Sequence, residues 1–212
     1  MFRLEDIKMS KSREERIEIL KELAKTDGGL ITTAQIEKAG INRVMIPAFI
    51  DEGILIKEGR GIYYYADEMP DDLQIIQMNN PKLVYSYGTA LYLWDMSDRV
   101  PHTWDISVPQ GFNASRLKKN NKNIRLHYIN LDRWEIGITE TLSPSGNKVR
   151  LYDKERCIID LVKGKDKIDK QLYLHALHEY FDDASTDKSL LIKYAKIFHI
   201  ESKVRDYMDI LS

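Results

Sequence analysis

The sequence predicts an α+β protein: an N-terminal winged helix-turn-helix, then an α+β domain with an antiparallel sheet, then a C-terminal helical tail. Three observations carry this prediction. Between Gly29 and Ala66 the order of patterns is helix, tight turn, helix and two-stranded hairpin. Between His102 and Leu151 lie four β-prone runs separated by turn residues. From Asp153 onward the apolar residues recur at helical spacing.

The N-terminal elements follow from their caps and periodicity. Ser12 and Glu15 form a capping box that opens an amphipathic helix to about Lys25, with Ile17, Leu20, Leu23 and Ala24 on one stripe. Thr32 or Thr33 caps a short helix over Ala34–Ala39, and Gly40 ends it because glycine tolerates a left-handed conformation. Asn42 caps a second helix whose Ile46, Phe49 and Ile50 share a face, and Gly53 closes it. Pro47 conflicts with an uninterrupted helix there and predicts a kink or a later start. Ile54–Lys57 and Ile62–Ala66 then flank a turn at Glu58–Gly61.

This arrangement suits duplex DNA for a physical reason. A second helix held off the body by the first can enter a major groove about 12 Å wide and offer side chains to base edges. Asn42 and Arg43 occupy those positions, Thr32 and Thr33 sit where a helix start meets a phosphate, and Lys57 and Arg60 charge the wing. Such modules also dock proteins, so two functions stay open: a DNA-binding repressor, and an adaptor that binds its partner directly without DNA.

Met69-Pro70-Asp71-Asp72 breaks the pattern and divides the chain into residues 1–69 and 70–212. Helices are predicted over Asp72–Asn79 and Thr89–Met96. Strands follow at His102–Val108, Ile124–Ile129, Glu135–Leu142 and Lys148–Leu151, a sheet of about 102–151 with a turn at Ser143–Asn147. Asp153 caps a helix through Val162. Helices over about Lys170–Tyr180, Thr186–Phe198 and Ser202–Leu211 complete a tail of about 153–212.

Charge distribution sharpens the question of partners. The whole chain carries a formal net charge of −1 across 212 residues. Residues 1–69 hold 11 Lys and Arg against 13 Asp and Glu, a net of −2, so a DNA-binding face there must be local. From Ile106 to Leu131 no acidic residue occurs, and Arg116, Lys118, Lys119, Lys122 and Arg125 cluster within that span beside Ser115. The stretch is read as an extension of the DNA contact, against the alternative of a solvated loop. The single Cys157 excludes an internal disulfide and fits a reducing cytoplasm. MFRLEDIKMSKSREER has no apolar leader core, and no run reaches the ~18 apolar residues of a spanning helix, so no membrane contact is expected.

With these residues in hand, the chain resembles a known family. VYSYGTALYLWDMSDRVPHTWDISVPQG (Val84–Gly111), VRLYDKERCIIDLVKG (Val149–Gly164) and a winged module ending in GRGIYYYA are similar to AbiEi antitoxins of type IV abortive-infection toxin–antitoxin operons. The resemblance implies two activities. One is repression of the protein's own operon through promoter repeats; the other is antagonism of a nucleotidyltransferase-like toxin through the C-terminal domain, with no stable complex required. Carried onto this sequence, the DNA role falls on Thr33, Asn42, Arg43 and Arg60. Asp153, Glu155 and Arg156 match the second motif, where they also suit an acidic, capped helix start.

An enzymatic reading is weaker. Tyr87-Gly88-Thr89 and the later Trp104-Asp105-Ile106-Ser107 resemble a nucleotidyltransferase core, in which two carboxylates at i and i+2 on a strand share metal ions. Here the second position is Ser107, whose hydroxyl brings no charge. His175 and His178 stand at i, i+3 next to Glu179, without further ligands at telling intervals. No catalytic residue, metal or cofactor is expected.

Overall fold

A computed structural model describes residues 11–26, 28–78 and 80–211. The leader-free reading of residues 1–10 and the predicted helix end at Asn79 lie outside the described residues. The chain divides into two compact units, Met1–Asp72 and Leu73–Ser212. No described helix is long and apolar enough to cross a membrane.

In the first unit, α1 (Arg13–Thr26) starts at the Ser12–Glu15 capping box: each residue's side chain accepts the other's backbone N–H, at 2.7 and 3.1 Å. It buries Leu20 and Ala24. β1 (Leu30–Thr32) leads into α2 (Thr33–Lys38), where Thr32 and Gln35 form a second capping box. Asn42 caps a single 3₁₀ turn, Arg43–Met45, and α3 (Ile46–Asp51) begins only after it. The sequence places that cap on the α-helix itself; the later start is the structural answer to Pro47, which now lies in the first turn, where its missing N–H leaves no partner unsatisfied.

β2 (Leu55–Gly59) and β3 (Ile62–Tyr65) form the hairpin, and the three strands assemble antiparallel in the order β1-β3-β2. Tyr63 and Tyr65 point into a core built with Ile36, Ile41, Ile46, Phe49 and Leu55. The hairpin turn is fastened to the start of α2: Thr33 N–H donates to Gly61 O at 3.0 Å. Gly61 has φ +72°, and a Cβ there would come within 3.2 Å of Thr33 Oγ1. Only glycine fits that approach without strain.

The second unit begins with α4 (Asp72–Gln77), β4 (Val84–Tyr85) and α5 (Tyr87–Leu93). β5 (Trp104–Pro109), α6 (Ser115–Asn120) and β6 (Ile124–Ile129) follow, then α7 (Leu131–Trp134) and the hairpin β7 (Ile138–Leu142) with β8 (Lys148–Tyr152). Four longer helices end the chain: α8 (Lys154–Lys163), α9 (Lys170–Asp182), α10 (Lys188–Ile197) and α11 (Glu201–Leu211).

The sheet of this unit is not antiparallel, as the sequence leads one to expect, but mixed, in the order β6-β5-β4-β8-β7. β5 runs parallel to β6 over six residue pairs, and β4 parallel to β8, while the β4–β5 and β7–β8 pairs are antiparallel. The physical reason is the connection. Residues 110–123 include α6 and are long enough for the crossover that parallel neighbours need; a tight turn would have forced a hairpin. The sheet also extends to Val84–Tyr85, outside the predicted 102–151. That two-residue strand is buried on both faces and shows no alternation to detect.

Candidate nucleic-acid interface

The first unit gathers four of the predicted contact residues. An open cleft between α3 and the hairpin is lined by Thr33, Arg43, Pro47, Asp51, Lys57 and Arg60, among others. Arg43, Lys57 and Arg60 are exposed. Within this lining three cations face one carboxylate, so the cleft is locally positive although residues 1–69 together are not. Arg43 is tethered only loosely, 3.9 Å from Glu37 across exposed surface, a pair of little energetic weight.

Two predicted residues turn inward in their bonding. Thr32 Oγ1 accepts from Gln35 N–H at 3.2 Å and donates to Gln35 Oε1 at 2.7 Å, so its hydroxyl serves the helix start. Asn42 Oδ1 accepts from Val44 N–H at 3.0 Å, which occupies one of its two acceptor sites and fixes the amide against the turn. Val44, which sequence reasoning passed over, is 77% exposed between these polar residues and α3. The only signal for it is an apolar β-branched residue two positions after the cap.

Arg116, Lys118, Lys119, Lys122 and Arg125 belong to the second unit. The first three stand on α6 and Arg125 on β6; all five are exposed, while Leu117 packs inward. The basic run is therefore part of the β5–β6 crossover and not an irregular loop. Arg125 also stands 3.6 Å from Asp105.

The region that suggested nucleotidyltransferase chemistry is bonded within itself. Thr89 Oγ1 accepts from Asp105 N–H at 2.7 Å, and Asp105 Oδ1 lies 2.8 Å from His127 Nε2. Ser107, at the place of a second carboxylate, is buried and bonded to Ser86 Oγ at 2.9 Å. Tyr87 stacks on His127 with ring centres 4.1 Å apart, and burial pushes its hydroxyl up to about 12. Among the described residues, no three His, Cys, Asp or Glu side chains are grouped to hold a metal ion.

The Tyr-Asp-x-Glu-Arg motif is a brace. Asp153 caps α8 by accepting Arg156 N–H at 2.7 Å and Tyr194 O–H at 3.0 Å. Glu155 accepts from Tyr180 O–H at 3.3 Å and from Asp187 N–H at 2.8 Å, holding α9 and α10. Arg156 is fully buried. Its Nε lies 3.2 Å from both Asp160 oxygens, and its Nη1 donates to the carbonyls of Arg133 and Ile136 at 2.6 and 2.9 Å.

Burial raises the Asp153 carboxyl to about 6, against about 3.9 for a free aspartate. The folded state thus holds this proton more tightly than the unfolded one. The resulting stabilisation is complete below about pH 4 and is lost as pH rises to about 6. Asp153→Asn keeps an acceptor for the cap. Its stability relative to the parent is expected to rise between about pH 4 and 6 and then level off, as read by urea unfolding across that range. A constant difference would contradict the assignment.

The fold has a counterpart among solved structures. A crystal structure of the RV2827C protein from Mycobacterium tuberculosis superposes with a TM-score of 0.58, covering 84% of this chain and 70% of that one. At 12% identity this likeness establishes a shared fold. Residues 18–66, in the first unit, match the family described as transcriptional regulator, AbiEi antitoxin. The resemblance to AbiEi antitoxins is thereby shown over that segment. No curated protein sequence matches the chain.

Proposed function

We propose that the chain is an antitoxin that represses its own operon, with residues 1–69 binding promoter repeats as a winged helix-turn-helix. The observation that carries this reading is the convergence of Thr33, Arg43, Lys57 and Arg60 on one cleft between α3 and the hairpin. In this reading α3 and the turn before it enter the major groove, and Arg43 meets base edges. Thr33, Lys57 and Arg60 hold phosphates, while Thr32 and Asn42 act mainly by fixing the helix starts they cap. The cations of α6 and β6 add electrostatic contact. Residues 70–212 form the domain that antagonises a nucleotidyltransferase-like toxin in the cytoplasm. Ser107 in place of a carboxylate supports a non-catalytic role for it.

The test is binding to the duplex directly upstream of the protein's own gene and to a scrambled duplex, at two salt concentrations. Preference for the native duplex is expected, with affinity falling by ~0.9 log units per log unit of salt for each phosphate neutralised. Equal, weak binding to both would remove the repressor role and favour an adaptor that binds its toxin without DNA.

A further inference from the structure

The recognition surface carries an apolar feature beside its cations. Val44 is 77% exposed, and the next outward residues along the same segment, Pro47 and Ala48, are also exposed. Their neighbours Ile46 and Phe49 are buried in the core. Three exposed apolar side chains thus stand between the exposed Arg43 and Asp51, beside the cleft that Arg43, Lys57 and Arg60 line. Val44 is also held in place. Its N–H is bonded to Asn42 Oδ1 at 3.0 Å, and a β-branched side chain has few χ1 states to lose on contact.

We propose that Val44 is a specificity-determining residue that reads the 5-methyl group of a thymine in the major groove. This rests on the DNA-binding reading above. The adjoining cations match the phosphates of a duplex, and the thymine methyl is the one apolar group that base edges present in that groove. Asn42 supports the assignment through its cap. Its Oδ1 takes the Val44 N–H, so the cap fixes the backbone from which Val44 projects. Beside Val44 stands Arg43, whose guanidinium suits guanine. The preferred half-site is expected to hold a guanine and a thymine within a step or two of each other.

Fluorescence anisotropy on the upstream duplex tests this, with each thymine replaced in turn by deoxyuridine, which keeps the pairing and removes only the methyl. The wild-type protein is expected to lose about fourfold in affinity at one or two positions, the equivalent of one buried methyl-sized group. Val44→Ala should lose a similar factor on the native duplex and nothing further on the uridine duplex. Val44 packs against nothing that the fold needs, so an unchanged thermal melt will certify the variant. Preference for the native over a scrambled duplex, combined with no effect of uridine or with wild-type sensitivity in Val44→Ala, would overturn the inference and leave DNA binding standing. Absence of any preference for the native duplex would overturn the DNA-binding reading, and this inference with it.

Discussion

Replacing Arg156 with alanine is expected to reduce the unfolding free energy by about 3–5 kcal/mol. The guanidinium is fully buried, lies between the rings of Tyr152 and Phe198 at 4.2 and 4.4 Å, and satisfies two backbone carbonyls as well as Asp160. Truncation leaves the Asp160 carboxylate buried without its counter-ion and strips Arg133 O and Ile136 O of their donor. It also opens a cavity at the centre of α8, whose residues Glu155–Val162 are all buried. Urea unfolding checks the value. A second variant, Arg156→Met with Asp160→Leu, should recover part of the loss, since an apolar pair of similar volume removes the stranded charge while the two carbonyls still lack their donor. A loss below about 1 kcal/mol for the single variant would mean that solvent reaches the site.

The second large effect concerns Arg43. On the proposed DNA-binding function, Arg43→Ala should weaken binding to the native duplex by about 1–3 kcal/mol and change binding to a scrambled duplex far less. The side chain is 73% exposed and its ion-pair partner Glu37 is 3.9 Å away across exposed surface, so removing it should disturb the fold little. The contrast is Lys118→Ala with Lys119→Ala. Those cations project from α6, and their loss should weaken all duplexes alike and flatten the salt dependence. Equal losses on specific and random DNA in both variants would refute the division between base reading and charge.

How much of this was legible in the residues depends on whether the deciding interaction is local. The Ser12–Glu15 capping box is, since it acts within four residues; at the next helix the sequence left the cap between Thr32 and Thr33, and Gln35 completes a box with Thr32. Pro47 likewise announced that an α-helix could not run unbroken from Asn42. The mixed sheet was hidden because strand direction is set by pairing across residues 110–123, which no local alternation reports. Arg156 was hidden for a different reason. Asp-x-Glu-Arg at a helix start reads equally well as a solvated first turn, and only the carbonyls of Arg133 and Ile136, brought in from α7 and the loop after it, make it a core residue. Of the site, the cations were visible by type; their gathering at one cleft depends on how the hairpin folds back.

That fold-back has a mechanical consequence. The bond from Thr33 to Gly61, with the close approach that excludes a side chain at Gly61, joins the tip of the hairpin to the beginning of α2. Arg60 therefore rides on the same rigid piece as the helices, and the span between it and Arg43 is set before any partner arrives. A binding surface of this kind loses little freedom on association. On the proposed DNA-binding function it would act as a fixed gauge, to which a flexible duplex bends and a stiff one of the wrong groove width does not adjust.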